Sequence, residues 1–146
     1  MKKVIIHVFD IDSSLDQVNR ALSTLEGLRN WWTNDVSGLT SKGGVIQFRF
    51  ASVFKPDMKV VESNESEIVW ECVGGEKDWH GDQFIFSLEQ ADARVKVKFV
   101  QEYANAISDE QYGRFNFNWG YYLQSLKLYC ETGTGAPFIS PPPPSR

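Results

Sequence analysis

From Val45 to Tyr103 apolar and polar residues alternate in short runs, and a long helical pattern follows them. Ile46, Phe48 and Phe50 share one face of a strand over 45–50, and Met58 to Ser63 follows as a second after Pro56. Ile68, Trp70 and Cys72 share a face over 68–73, and Phe84, Phe86 and Leu88 over 83–90. Val95, Val97, Phe99 and Gln101 do so over 94–103, against Lys96 and Lys98. A period of two marks a strand with one buried face. Turn residues join the runs: Asn64-Glu65-Ser66, Gly74-Gly75 and Ala91-Asp92. Successive strands so connected predict an antiparallel meander, wet on one side and apolar on the other.

An apolar sheet face must be covered. The element able to cover it is the helix predicted from about Asp109 to Glu131. Ser108-Asp109-Glu110-Gln111 forms a capping box, and its acidic first turn suits the helix dipole. Tyr112, Phe115, Trp119, Tyr122 and Leu126 make one stripe, widened by Phe117, Tyr121, Leu123 and Leu128. Gly133 ends the helix.

Ahead of the meander, residues 4–11 read as a strand rich in β-branched side chains. Ser14-Leu15-Asp16-Gln17 is a second capping box, followed by Val18, Leu22 and Leu25 at helical spacing. Gly27 is expected to stop that helix, with a shorter one over 28–32 and a polar connection over 33–44. The predicted class is therefore α+β: a curved antiparallel sheet of about six strands wrapped around a long C-terminal helix, with two short helices after the first strand. Residues 1–136 make one domain. Residues 137–146 form a proline-rich tail, expected to be disordered, because Pro141 to Pro144 can neither continue a helix nor pair in a sheet.

The chain has 146 residues, a usual size for one domain. Net charge is −4 and no basic run exceeds Lys2-Lys3, which argues against a nucleic-acid partner. No apolar run approaches the ~20 residues of a membrane span. Residues 1–7 begin like a signal peptide, but the apolar run breaks at His7 and Asp10 with no small-residue cleavage site, so a cytoplasmic protein is expected. Cys72 and Cys130 stand in no metal-ligand or redox spacing, and neither a metal nor a cofactor is expected. No nucleophile elbow, phosphate loop or dinucleotide fingerprint occurs, and no catalytic residue is assigned.

Five strings in this order resemble one family. They are Val18-Asn19-Arg20-Ala21-Leu22-Ser23, Gly27-Leu28-Arg29-Asn30-Trp31-Trp32-Thr33, Ile68-Val69-Trp70-Glu71-Cys72-Val73, the segment from Trp79-His80-Gly81 to Phe86, and Trp119-Gly120-Tyr121-Tyr122-Leu123-Gln124-Ser125-Leu126-Lys127. The chain resembles the SRPBCC (START-like, helix-grip) superfamily, within it the heat-shock protein 90 ATPase activator homologue-like branch. The resemblance implies a cavity between the sheet and the C-terminal helix. The superfamily includes lipid carriers, hormone receptors and polyketide cyclases, so fold alone does not name an activity. Eukaryotic co-chaperones of this branch carry an additional N-terminal domain.

The candidate site residues are the rings assigned to the inside, which serve either as packed core or as the wall of a cavity. Phe48, Trp70, Phe84, Phe86 and Phe99 come from the sheet; Phe115, Trp119 and Tyr122 come from the helix. Of the consecutive Trp31 and Trp32, one is expected to pack inward and the other either to lie at the surface or to edge the cavity mouth. Gln101 breaks an apolar strand face and needs a partner, in a ligand or in the protein. His80, with Glu76, Asp78 and Asp82 nearby, is expected in a solvated loop. Rings this large on both layers hold the layers apart, so Trp119 is expected to face Trp70 or Phe84 across a gap. The predicted function is binding of an apolar or aromatic small molecule. The alternatives are a cyclase or dehydratase using the same cavity, and a co-chaperone-like domain with a chaperone partner.

Overall fold

The computed structural model describes residues 2–141. Strand β1 (Val4–Ile11) leads into helices α1 (Leu15–Ser23) and α2 (Leu25–Trp31). Strands β2 (Asp35–Gly38), β3 (Val45–Arg49), β4 (Asp57–Ser63), β5 (Glu67–Gly74), β6 (Gln83–Ala91) and β7 (Arg94–Glu102) follow, with a 3-10 turn at Lys77–Trp79. Helix α3 (Asp109–Thr132) comes last. Among the described residues the strands form one antiparallel sheet, ordered β1-β7-β6-β5-β4-β3-β2. The meander predicted from alternation is β3 to β7, and β1 returns to pair beside β7 with Val4 opposite Glu102. Register shifts in the β4–β5 pair, at Asp57/Met58 and Val60/Glu62, add local bend.

The sheet has seven strands rather than the six expected. The extra one, β2, lies in the segment taken for a polar connection. Only Val36 of its residues is buried, so four residues carry no readable alternation. It forms by pairing with β3, from Asp35 opposite Arg49 to Gly38 opposite Ile46.

Both capping serines act as predicted. The Ser14 hydroxyl accepts from the Gln17 N–H at 3.1 Å, and Ser108 accepts from Gln111 at 3.2 Å. Gly27 does not stop α1. The break is Thr24, extended at φ −127° and ψ 149°, whose hydroxyl caps α2 by accepting from the Gly27 N–H at 3.0 Å. Gly27 sits where the two helices touch: a Cβ there would lie 2.6 Å from the Ala21 Cα.

The tail expectation is corrected for its first residues. Phe138 bridges to Thr33 as a short parallel pair. Its N–H donates to the Trp32 carbonyl at 2.8 Å, and its carbonyl accepts from the Asn34 N–H at 3.0 Å. The Ser140 N–H donates to Asn34 Oδ1 at 2.8 Å. Prolines exclude ladder pairing only where they stand, and Phe138 to Ser140 are not prolines. Pro142 to Arg146, the rest of the expected tail, lie outside the described residues. The buried Ser125 hydroxyl secures the approach, donating to the Trp31 carbonyl at 2.8 Å and accepting from the Ala136 N–H at 2.7 Å.

Candidate ligand site

A cleft of about 490 Å³ opens between α3 and the tip of the β3–β4 hairpin. Its floor is a row of near-parallel indoles. Trp119 of α3 stacks on Trp32 with centroids 5.1 Å apart at 27°, and on Trp79 at 6.0 Å and 11°. Trp32 is placed by the C-terminus of α2, its N–H bonded to the Leu28 carbonyl at 3.0 Å. Trp79 is placed by the 3-10 turn. Phe50 and Phe54 of the hairpin, Phe115 and Tyr122 of α3, and Phe138 form the walls; Gln111, Arg114 and Asn118 stand on the polar rim. Arg114 also meets Glu110 at 3.1 Å.

Four of the predicted residues line this cleft: Trp32, Phe115, Trp119 and Tyr122. The others lie behind it in the packed core. Trp31 is fully buried, stacks on Trp32 at 6.0 Å and 15°, and donates from its indole N–H to the Ala21 carbonyl at 2.8 Å. Phe48, Trp70, Phe84, Phe86 and Phe99 are fully buried strand residues. Trp119 does not face Trp70 or Phe84 across a gap. It touches Phe99 at 4.3 Å and Phe84 at 6.1 Å, and the flat Trp32 ring fills the space toward Trp70 at 6.0 Å and 13°. One planar ring slid between two others closes the layer that ring size alone was expected to hold open. The gap opens instead beyond Trp119, toward the hairpin.

Sequence reasoning missed Phe50, Phe54, Trp79 and Phe138 as lining groups. Phe54, Trp79 and Phe138 sit in stretches read as loop or tail, where strand alternation assigns no face; Phe50 shares the inward face of its strand with Ile46 and Phe48 but was not assigned to the site. The available signal was an aromatic residue in a segment otherwise polar or rich in Gly and Pro.

Beneath the floor runs a buried polar chain. The Trp119 Nε1–H donates to Gln101 Oε1 at 2.8 Å, and Gln101 Nε2 donates to Asp82 Oδ2 at 3.0 Å. Asp82 Oδ1 accepts from the Ala104 N–H at 2.7 Å. Gln101 therefore has protein partners on both ends of its amide. His80 is exposed, as expected for the loop, but Asp82 from the same loop is completely buried, a correction to that reading. The turn at Trp79 folds it inward, with the Asp82 N–H bonded to the Trp79 carbonyl at 2.9 Å. Burial pushes the Asp82 carboxyl up to about 6, against the opposing pull of the Ala104 and Gln101 donors. The Tyr103 hydroxyl, also raised by burial, and the Trp79 indole N–H are both buried without a hydrogen bond of normal geometry. Both cysteines are free, and burial raises Cys72 to about 11 and Cys130 to about 12.

Comparison with known proteins agrees with this architecture. The family described as Activator of Hsp90 ATPase homolog 1-like protein matches residues 12–131. A solution structure described as the Aha1 dimer from Colwellia psychrerythraea is 32% identical, covering 91% of this chain and 99% of that one with a TM-score of 0.82. Protein SSP2350 from Staphylococcus saprophyticus is 19% identical over 94% of this chain and 98% of its own, with a TM-score of 0.71. CalU16 from Micromonospora echinospora is 12% identical, covers 92% of this chain and 70% of its own, and has a TM-score of 0.75. The last two show a common fold alone. No curated protein matches the chain. Among the described residues no helix is long and apolar enough to cross a membrane.

Proposed function

Since the chain belongs to the Activator of Hsp90 ATPase homolog 1-like family, we propose that it uses the helix–sheet cleft of that fold to bind a flat, apolar small molecule. The observation that carries this reading is the indole floor. Trp32, Trp119 and Trp79, stacked on one another and almost fully buried, turn near-parallel ring edges to a volume of about 490 Å³, within the roughly 300–1,000 Å³ of small-molecule sites. An aromatic guest gains apolar burial and offset ring contacts there. The rim carries two amides and the Arg114 guanidinium, groups that orient a carbonyl or carboxylate rather than shuttle protons. Their presence favours binding over catalysis.

Naphthalene-1-sulfonate, a planar aromatic anion, is a direct probe. Titration of the full chain should quench tryptophan emission with a Kd on the order of 10 µM. Phe115→Ala should weaken binding about tenfold, and Arg114→Gln should weaken the sulfonate but not neutral naphthalene. No saturable binding, or affinities that neither substitution changes, would remove this reading. Native mass spectrometry of protein released from cells would then look for a resident molecule of the same class.

A second reading draws on the family match and the 32% identical relative: stimulation of a chaperone ATPase. Steady-state ATP hydrolysis by an Hsp90-type chaperone, with and without this chain, separates the two. A rise in turnover that the cleft substitutions leave unchanged would favour the chaperone reading.

A further inference from the structure

The sheet ends on β1, on the flank of α3 away from the cleft. The Lys3 carbonyl accepts from the Tyr103 N–H, and Ile5 stands opposite Gln101. Odd-numbered residues of β1 thus turn their backbone groups toward β7, and even-numbered ones turn them outward. Helix α3 reaches over the two ends of this open edge. The Tyr112 hydroxyl donates to the Val4 carbonyl, and Lys127 Nζ to the Asp10 carbonyl. The Asp12 N–H donates to Glu131 Oε2 at 2.8 Å. Between these clamps Ile6 and Val8 direct N–H and C=O groups outward, and among the described residues no side chain hydrogen-bonds them. Their side chains are 54% and 55% exposed.

Uncovered edges invite another strand, and proteins usually blunt them with short strands, charge or proline. The far edge is blunted: β2 has four residues and ends at Gly38 with φ +110°. Strand β1 has eight residues, and its outward even positions begin Val4, Ile6, Val8. Helix α3 runs alongside it. His7 Nε2 bonds Asn116 Oδ1 at 2.9 Å, and a Cβ on Gly120 would lie 3.7 Å from His7 Cε1. Phe117, next to Asn116, is therefore level with the middle of the strand, and it is 77% exposed.

We propose that β1 pairs antiparallel with β1 of a second copy of this chain, centred on His7, joining the two sheets edge to edge. The charge pattern selects this occupant and direction. Lys2 and Lys3 precede the apolar run, and Asp10 and Asp12 end it. Antiparallel pairing centred on His7 sets Lys2 opposite Asp12 of the other copy, with Asp10 diagonal to it, and sets Ile6 opposite Val8. Parallel pairing would stack like charges at both ends. The contact is isologous, so it closes at two copies. Four backbone hydrogen bonds form from the open groups of Ile6 and Val8, and the two Phe117 rings approach the axis.

Sedimentation equilibrium of the full chain tests this. A reversible dimer is expected, with a Kd on the order of 10 µM. Val8→Pro removes an N–H that serves only the open edge, a position where proline is tolerated. It should weaken association at least tenfold, with the circular dichroism spectrum unchanged. Should that variant misfold, Phe117→Glu on α3 tests the same contact without touching the strand. Lys2→Glu should weaken the dimer, because it sets two carboxylates opposite each other at both ends of the pairing. The proposal is overturned by a monomer at every concentration, by a dimer that neither Val8→Pro nor Phe117→Glu changes, or by a monomer that captures only unrelated extended peptides on β1.

Discussion

The indole N–H of Trp119 donates to Gln101 Oε1 at 2.8 Å, and this fixes which way the Gln101 amide points. With its oxygen committed to Trp119, its NH2 must face Asp82, which accepts at 3.0 Å. The chain is directional: position 82 needs an acceptor toward Gln101 and another toward the Ala104 N–H. The ring that floors the cleft is thereby tied to a buried carboxylate.

Removing one link should leave a buried group unpaired. Trp119→Phe keeps an aromatic ring but orphans Gln101 Oε1, at a cost of about 1–3 kcal/mol beyond any packing loss. Gln101→Leu orphans the indole N–H and takes a donor from Asp82, with a similar cost. The double variant should lose less than the sum, as expected for neighbours in one network. Urea midpoints measure all three; strict additivity would show that the two groups do not act together.

Asp82 should make stability depend on pH in an unusual direction. Its folded value of about 6 lies above the ~3.9 of an unfolded aspartate. Between those values the folded state binds more protons, so the Asp82 contribution falls as pH rises from about 4 to about 6, then levels off. Comparing the parent with Asp82→Asn at pH 4.5 and 7 isolates the effect. The parent should lose more stability than the variant over that rise. An identical dependence in both would assign the trend to other groups.

Ser14→Ala should cost on the order of 1 kcal/mol, because it removes the acceptor for the Gln17 N–H. An unchanged denaturant midpoint would mean that Ser13, whose hydroxyl bonds the Gln17 side chain, takes over the cap.

Truncation after Ala136 should lower the melting temperature. It removes the hydrogen bonds of Phe138 to Trp32 and Asn34, and a ring 5.6 Å from Phe50. Each kcal/mol lost corresponds to roughly 2–4 °C at this size. Truncation after Pro141 keeps all of these contacts and should leave the melting temperature unchanged.

Elements with a strong period were legible in the sequence. The alternation over 83–90 and 94–103 became β6 and β7, and the two serine capping boxes opened α1 and α3. Strand β2 was not legible, because pairing with β3 rather than any apolar pattern of its own makes it a strand. The site was half legible. The helix rings Phe115, Trp119 and Tyr122 follow from helical spacing. That Trp32 lies flat between Trp70 and Trp119 depends on the angle at which α2 meets the sheet, and no local pattern encodes that angle. Asp82 was misplaced for a related reason: a turn rich in glycine and charge reads as solvated, yet its backbone hydrogen bonds direct that carboxylate into the core.

Gly27 acts as a fulcrum. Helix α2 has only seven residues, so it moves as a stiff lever, and the Gly27 contact with Ala21 sets its closest approach to α1. A single methyl group there must push α2 away from Ala21, whose carbonyl also anchors the Trp31 indole. The far end of the lever carries Trp32, wedged between two other indoles. A Gly27→Ala chain can thus keep every ring and still lose the cleft, because the tilt of a two-turn helix has changed. Substitution scans read by side-chain chemistry alone would file this position as inert, although it decides how the indole floor lies.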